Sequence, residues 1–280
     1  MKNELTARFW SLSRPAPPLS SDELENVGSP CVAWQKPAAD VALPCDEVHV
    51  WRIWLDQTVI PLPEFERLLS GDERARAARF HFPRDHRRFV TGRGFLRKLL
   101  GNYLHLDPRQ IFFFYGRNGK PRLTPVPDSA VLHFNVSHSD DLALIAVTRD
   151  CEIGIDVEHI RPITEADQIA ARFFTPRELA QWRALPPELR TEAFFNCWTR
   201  KEACLKANGG TLDEALKQID VSLSRGNSVR LFSVPDNSWH TSYWSIMAFT
   251  PAPEFAGALA VKGRPVIFPA AATSHHFLAA

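Results

Sequence analysis

The chain has 280 residues, a formal net charge of +1 and 45% hydrophobic residues, enough for a sizeable core in one large domain or two of moderate size. The near-zero charge gives no global case for nucleic-acid binding, so any anion site must be local. No apolar run is long enough to span a bilayer, so no membrane span is expected.

Residues 1 to 45 are rich in Pro, Ser and Ala and weakly periodic, which reads as a loosely ordered extension. Its start, MKNELTARFWSLSRPAPP, lacks the apolar segment of a secretory signal. The five cysteines (Cys31, Cys45, Cys151, Cys197, Cys204) are odd in number and contain no CxxC pair. They read as free thiols, and a cytoplasmic location is expected.

EVHVWRIWLD alternates as a strand, with Val48, Val50, Arg52 and Trp54 on one face and His49, Trp51, Ile53 and Leu55 on the other. Ser70 and Glu73 have capping-box spacing and predict a helix start. Arg84 to Leu104 carries Phe89, Leu96, Leu100 and Tyr103 on one stripe, a second helix. IFFFYGRNGKPRL reads as a strand, a Gly-containing turn and an extended X-Pro segment. VLHFNVS, LALIAVT and EIGIDVE follow closely and suggest one antiparallel group of strands. In FFTPRELAQW, Thr175 as N-cap, Pro176 at the first helical position and Glu178 agree on a helix start. The next helix, around FFNCWTRKEACLKANGG, ends where Asn208 or Gly209 can take the left-handed cap. Strands are expected in IDVSLS, SVRLFSV, HTSYWSIMAF and GALAVKG. RFHFPRD and RFFTPRE share a spacing and hint at two similar halves.

Chemistry concentrates in four places. In IGIDVE, strand alternation puts Gly154, Asp156 and Glu158 on one face. Two carboxylates so close repel unless a cation or proton relieves them, and with substrate phosphates they would suit magnesium; alternatively they face water at a strand end. Glu202 and Lys206 stand four apart on the stripe of Trp198, either as an exposed ion pair or as a metal ligand and a phosphate contact. Arg200 and Lys201 lie to the side and are expected in solvent. Between Arg74 and Lys98 there are nine Lys or Arg residues and one acid, Asp85, which points to a phosphate-rich small ligand or to a solvated basic face. Finally, NGKP sets Lys120 on a turn and NVSHS sets Ser137 and His138 at a strand end, as anion donors or as structural turns. No Walker A, GxGxxG or nucleophile-elbow pattern occurs.

Taken in order, NGKP, FNVSHS, IGIDVE, RFFTPRE and WTRKEACLK resemble the 4′-phosphopantetheinyl transferase superfamily, most closely its large single-chain branch serving siderophore and nonribosomal peptide synthetases. The resemblance runs from about Val48 to Lys262. It implies an α+β fold of two similar subdomains related by pseudo-twofold symmetry. Each is a small, mainly antiparallel sheet packed on a long helix, with the active site at their junction. The expected division is 46–152 for the coenzyme A-binding half, 153–265 for the half with the metal site and catalytic helix, and 266–280 for a tail. The implied activity is magnesium-dependent transfer of 4′-phosphopantetheine from coenzyme A to a serine of an apo acyl or peptidyl carrier protein. By motif match, Asp156, Glu158 and Glu202 hold the metal, and Lys206 contacts the phosphate. Ser137, His138, Lys120, Arg76 and Arg88 contact coenzyme A. Glu202 is the implied base, and a monomer is expected. Glu73 stands where the family has a lysine, and Thr211 where it has a glycine. Two other readings stay open: a magnesium-dependent nucleotide pyrophosphate hydrolase, and a silent module that binds coenzyme A or a carrier protein.

Overall fold

Two helices of 22 residues each, α3 (Pro83–Leu104) and α6 (Pro187–Asn208), set the architecture. The computed structural model describes residues 8–12 (backbone), 34, 42–45, 47–116, 119–125, 131–149, 151–209, 216–223, 229–233 and 244–263. Around α3 lie β1 (Arg8–Leu12), β2 (Val48–Trp54), α1 (Leu62–Glu66), α2 (Gly71–Ala77), β3 (Phe113–Tyr115), β4 (Pro121–Leu123), β5 (Leu132–Ser139) and β6 (Leu142–Arg149). Around α6 lie β7 (Glu152–His159), α4 (Ala166–Phe173), α5 (Pro176–Ala184), β8 (Asp220–Val221), β9 (Leu231–Ser233), β10 (Trp244–Phe249) and β11 (Phe255–Lys262).

The two halves share one connectivity. A strand is followed by a capped short helix, a long helix and an antiparallel pair, and the last strand returns beside the first. The sheets accordingly run β1-β2-β6-β5 and β10-β11-β7, antiparallel throughout. This is the α+β arrangement of paired, sheet-on-helix halves expected above. Hydrophobic alternation explains the layers. Trp51, Ile53 and Leu55 of the first sheet's outer face pack on Phe95, Leu96 and Leu99 of α3. Val48, Val50, Leu144 and Ala146 on its other face meet Ile153, Ile155, Val157 and Leu259 of the second sheet. That sheet's far face, Ala256, Ala258 and Ala260, lies against α6. Burial of these faces supplies the main stabilisation.

Both capping boxes form, and each contributes a buried carboxylate. The Ser70 amide donates to Glu73 Oε2 at 2.9 Å, and the Thr175 amide donates to Glu178 Oε2 at 2.8 Å. Glu73 then accepts from Arg97 of α3 at 2.6 Å, and Glu178 from Lys201 of α6 at 2.5 Å. All four side chains are buried, so each pair locks a short helix to its long one. Glu73 is thereby committed inside the fold. The RFHFPRD and RFFTPRE echo is a different matter: Pro83 opens α3, but Pro176 opens α5, so the two segments do not occupy equivalent places.

Two expectations need correction. β7 does not join the sheet of β5 and β6 but pairs with β11. The reason lies in FNVSHS, whose alternate residues are polar and reach β7 through side chains instead of a backbone ladder. The segment read as a loose extension contributes β1, with Arg8 opposite Arg52 and Leu12 opposite Val48. Trp34 in the same segment is buried, and its Nε1 donates to the Pro251 carbonyl at 3.0 Å. Weak periodicity hid both, since an edge strand and a single anchored indole leave no repeating pattern. Helices α1 and α4 also had no counterpart in the sequence reading. Cys45, Cys151, Cys197 and Cys204 are free thiols, and Cys31, Thr211 and 264–280 lie outside the described residues. Among the described residues no helix is long and apolar enough to cross a membrane.

Candidate active site

β7 and α6 touch where the sequence offers no side chain. A Cβ on Gly154 would stand 2.0 Å from the Ala203 carbonyl oxygen and 2.5 Å from the Ala207 amide nitrogen. Glycine therefore lets the strand and helix backbones meet. That contact brings the face of Asp156 and Glu158 under the one turn of α6 that carries Glu202 and Lys206. On α6 the stripe Phe194, Trp198, Glu202, Lys206 recurs every fourth residue and changes from apolar to polar along its length. Trp198 stacks on Phe194 (ring centroids 6.1 Å apart, planes at 11°) and meets Phe173 of α4 edge-on. The stripe runs from the core into the site, which is why the Glu and Lys do not form a solvent-facing pair. Glu202 is buried, with 7% of its surface exposed.

At the centre, Asp156 Oδ1 accepts from Lys206 Nζ at 2.6 Å and from Ser137 Oγ at 2.8 Å, and Lys206 Nζ also reaches Ser137 Oγ at 3.0 Å. Asp156 Oδ2 is buried with no hydrogen-bond partner. Glu158 Oε2 accepts from Ser139 Oγ at 2.6 Å, and Ser139 Oγ accepts from the His159 amide at 3.1 Å. Asn135 Oδ1 accepts from the Ile155 amide at 2.8 Å. Thus Asn135, Ser137 and Ser139, every second residue of β5, stitch the two sheets together beside the carboxylates.

The electrostatics are strained in the manner of a cation site. Desolvation, and then the charge of Asp156, raise the Glu202 carboxyl to about 7; Lys206 opposes and Glu158 adds to the rise. Burial and Asp156 also push Glu158 upward. Three carboxylates thus face one lysine. Among the described residues no three His, Cys, Asp or Glu side chains already stand in ligand positions. The unpartnered Oδ2 of Asp156 and the mutual repulsion of the three acids nevertheless fit a hard divalent cation.

The basic residues gather on the other side of Lys206. Desolvation and the charges of Lys206, Arg88 and Arg76 lower the pKa of His138, so these four groups share one field. Arg76 is exposed and lies over the Phe89 ring, 5.3 Å from its centroid. Arg88 is already engaged: it grips Asp56 with two nitrogens (Nη2 to Oδ2 2.6 Å) and Asp140 Oδ1 with the third at 3.0 Å. Lys120 is set apart from this group, since its ammonium donates to Glu152 and Ile153 at the start of β7 and to the Lys206 carbonyl at the end of α6.

Arg200 and Lys201 were expected in solvent, and both are buried. Lys201 Nζ donates to Glu178 Oε2 and to the Ile219 carbonyl at 2.7 Å, and Arg200 donates to the Ser222 carbonyl. Helical spacing places them off the Trp198 stripe but does not reveal that α5 and β8 cover that side. Sequence reasoning also missed Ser139 and Asn135. The signal was present as strict polar alternation in FNVSHS.

Comparison with known proteins identifies the family. A family profile described as 4′-phosphopantetheinyl transferase superfamily matches residues 152–260, and one described as 4′-phosphopantetheinyl transferase, N-terminal, matches residues 62–150. The chain is 42% identical over 230 residues to 4′-phosphopantetheinyl transferase HetI of Nostoc sp., covering 82% of this chain and 94% of that one. It is 38% identical to a putative 4′-phosphopantetheinyl transferase of Synechocystis sp., over 71% of this chain and 86% of the relative. To 4′-phosphopantetheinyl transferase Sfp of Bacillus subtilis it is 31% identical, over 68% and 83%. With both halves matched and the carboxylate, lysine and serine cluster at their seam, the chain belongs to the 4′-phosphopantetheinyl transferase family.

Proposed function

We propose that this transferase moves the 4′-phosphopantetheine group of coenzyme A onto a serine hydroxyl of an apo acyl or peptidyl carrier protein, with magnesium, and releases adenosine 3′,5′-bisphosphate. The observation that carries the reading is the buried cluster of Lys206, Asp156 and Ser137, flanked by Glu158 and Glu202, in a chain of this family. Asp156 through Oδ2, Glu202 and Glu158 would hold the metal, which when bound supplies charge neutralisation on the pyrophosphate. Arg76, Arg88, His138 and Ser137 are the proposed contacts to the nucleotide phosphates, with Arg88 giving up its Asp140 bond to an incoming phosphate. Lys120, which the motif resemblance would add to this set, instead donates to Glu152 and to the Ile153 and Lys206 carbonyls.

In the chemical step the carrier serine oxygen attacks the β-phosphorus in line, and the bond from that phosphorus to the bridging oxygen breaks. A hydroxyl must lose its proton to react, and Glu202 accepts it. Lys206 donates to the departing bisphosphate and offsets its charge. We further propose that 46–152 and 153–265 act as the nucleotide-binding and metal-binding halves of a cytoplasmic monomer, because one chain supplies both walls of the site.

The test is incubation with coenzyme A, magnesium and a panel of apo carrier proteins, read by intact mass. Addition of one phosphopantetheine to a carrier is expected. Cleavage of coenzyme A with no carrier modified would instead identify a hydrolase, and no change in any carrier or in coenzyme A would identify a binding module.

A further inference from the structure

Lys120 stands on the turn between β3 and β4, and its ammonium is nearly buried, with 13% of the side chain exposed. A lysine has three N–H donors. All three are used: Glu152 Oε2 at 3.2 Å, the Ile153 carbonyl at 2.9 Å and the Lys206 carbonyl at 2.9 Å. The acceptors come from the first residues of β7 and the last turn of α6. One of them is the backbone of the residue whose side chain grips Asp156. Within the helix the Lys206 carbonyl accepts a long bond from the Gly209 amide at 3.3 Å, so it retains acceptor capacity, and a cation at a helix C-terminus is favourable. Glu152 is in turn fixed by Arg122 Nη1 at 2.5 Å, with His133 Nδ1 3.7 Å away. The network thus ties the β3–β4 turn, the start of β7 and the end of α6 at a single point.

We propose that Lys120 is a positioning residue that acts through the Lys206 and Ile153 backbones, with Glu152 as its anchor, and that its ammonium does not contact the substrate. The inference rests on Lys206 and Asp156 forming the reaction site. A neutral side chain at position 120 would take the ammonium away from both carbonyls and from Glu152 Oε2, leaving Glu152 to Arg122 and the Lys206 carbonyl to the long bond from the Gly209 amide at 3.3 Å, and would loosen the last turn of α6. Lys206 Nζ would then lose its alignment with Asp156 and the leaving phosphate, while the nucleotide contacts stay intact. Misplacement of a catalytic group affects turnover more than ground-state binding.

The test uses Lys120→Met, Lys120→Arg and Glu152→Gln in the full chain. Three readouts are taken: kcat and KM for coenzyme A, coenzyme A affinity by calorimetry, and amide hydrogen exchange across α6. For Lys120→Met, kcat is expected to fall by roughly tenfold to a hundredfold with affinity changed less than about threefold. Exchange at Asn208 and Gly209 should rise by about tenfold or more. Glu152→Gln should move the same readouts in the same direction, and Lys120→Arg should restore part of both. A large loss of coenzyme A affinity with unchanged exchange would overturn the proposal, as would a loss of kcat without faster exchange. If Lys120→Met does not fold, Glu152→Gln and Lys120→Arg carry the same comparison. If the wild type modifies no carrier, the functional reading fails, whereas the exchange comparison still decides whether Lys120 holds the end of α6.

Discussion

Glu202 shows how one residue can serve chemistry against stability. Its carboxyl is raised from 4.5 to about 7 because it is buried beside Asp156 and Glu158. A raised pKa means that the folded protein binds a proton more readily than the unfolded chain. Stability is therefore lost as pH rises through the window between the two values. A shift of this size corresponds to roughly 3 kcal/mol against the charged form, as an order of magnitude. In chelator, Glu202→Gln should be more stable than wild type at pH 8 by about 1–3 kcal/mol, with most of that difference gone at pH 5. The same variant should lose transfer by more than about a hundredfold. Thermal unfolding at the two pH values, with a carrier-loading assay, checks both. A variant less stable than wild type at pH 8 would refute the electrostatic argument. Spacing drew notice to the three carboxylates but left them readable as solvent-facing acids and an exposed ion pair, and only the family resemblance grouped them. The sequence did not show that Asp156 would be shared between Lys206 and Ser137, because that depends on β5 arriving from a different sheet.

At the level of elements, the site depends on how closely α6 approaches β7. Gly154→Ala would place a methyl group inside the Ala203 carbonyl contact, and backbone on both sides cannot yield by a side-chain rotation. The helix must move as a unit, so a cost of about 3 kcal/mol or more is expected together with loss of transfer. Denaturant unfolding measures the first and carrier loading the second; a fully active, equally stable Gly154→Ala protein would mean that the helix is not held there. The other attachment of α6 is the Lys201 to Glu178 pair. Glu178 also accepts the Thr175 and Val221 amides, so it joins α5, β8 and α6. Lys201→Met leaves that carboxylate buried without its cation and should cost about 3–5 kcal/mol. Adding Glu178→Gln should recover part of the loss, giving a clear coupling energy in a double-mutant cycle. Additive losses would show that the two side chains do not act as a pair. The capping boxes behind both buried carboxylates were legible as Ser70 with Glu73 and Thr175 with Glu178. Their partners were not, because Arg97 and Lys201 look like ordinary charged positions on long helices. Only the packing of the short helix turns them inward.

Across the whole molecule, the two halves repeat a plan but not a chemistry. In the N-terminal half the corresponding strand, β2, carries His49 and Trp51, both hydrogen-bonded to the Tyr103 hydroxyl of α3 at 2.6 and 2.9 Å. That space is filled with aromatic packing, whereas the C-terminal half keeps carboxylates and a lysine there. The repeat is real in connectivity, yet the sequence echo that hinted at it joined non-equivalent segments, since the step from Arg79 to Arg172 is shorter than those from Ser70 to Thr175 or Pro83 to Pro187. The halves meet in a core built from both sheets and in the β5 to β7 seam, where side chains replace a backbone ladder. Neither half can open without exposing apolar surface of the other, so both should unfold as one unit. Native-state hydrogen exchange should accordingly give similar opening free energies for the amides of β2 with β6 and of β7 with β11. Asn135→Ala removes the acceptor of the buried Ile155 amide and should lower both sets together by about 1–3 kcal/mol. Transfer should fall as well, because Asp156 and Ser137 sit one residue and two residues beyond that bond on their strands. If β7 and β11 lost protection while β2 and β6 kept theirs, the halves would be separately stable, and the shared core would not be what holds the site closed.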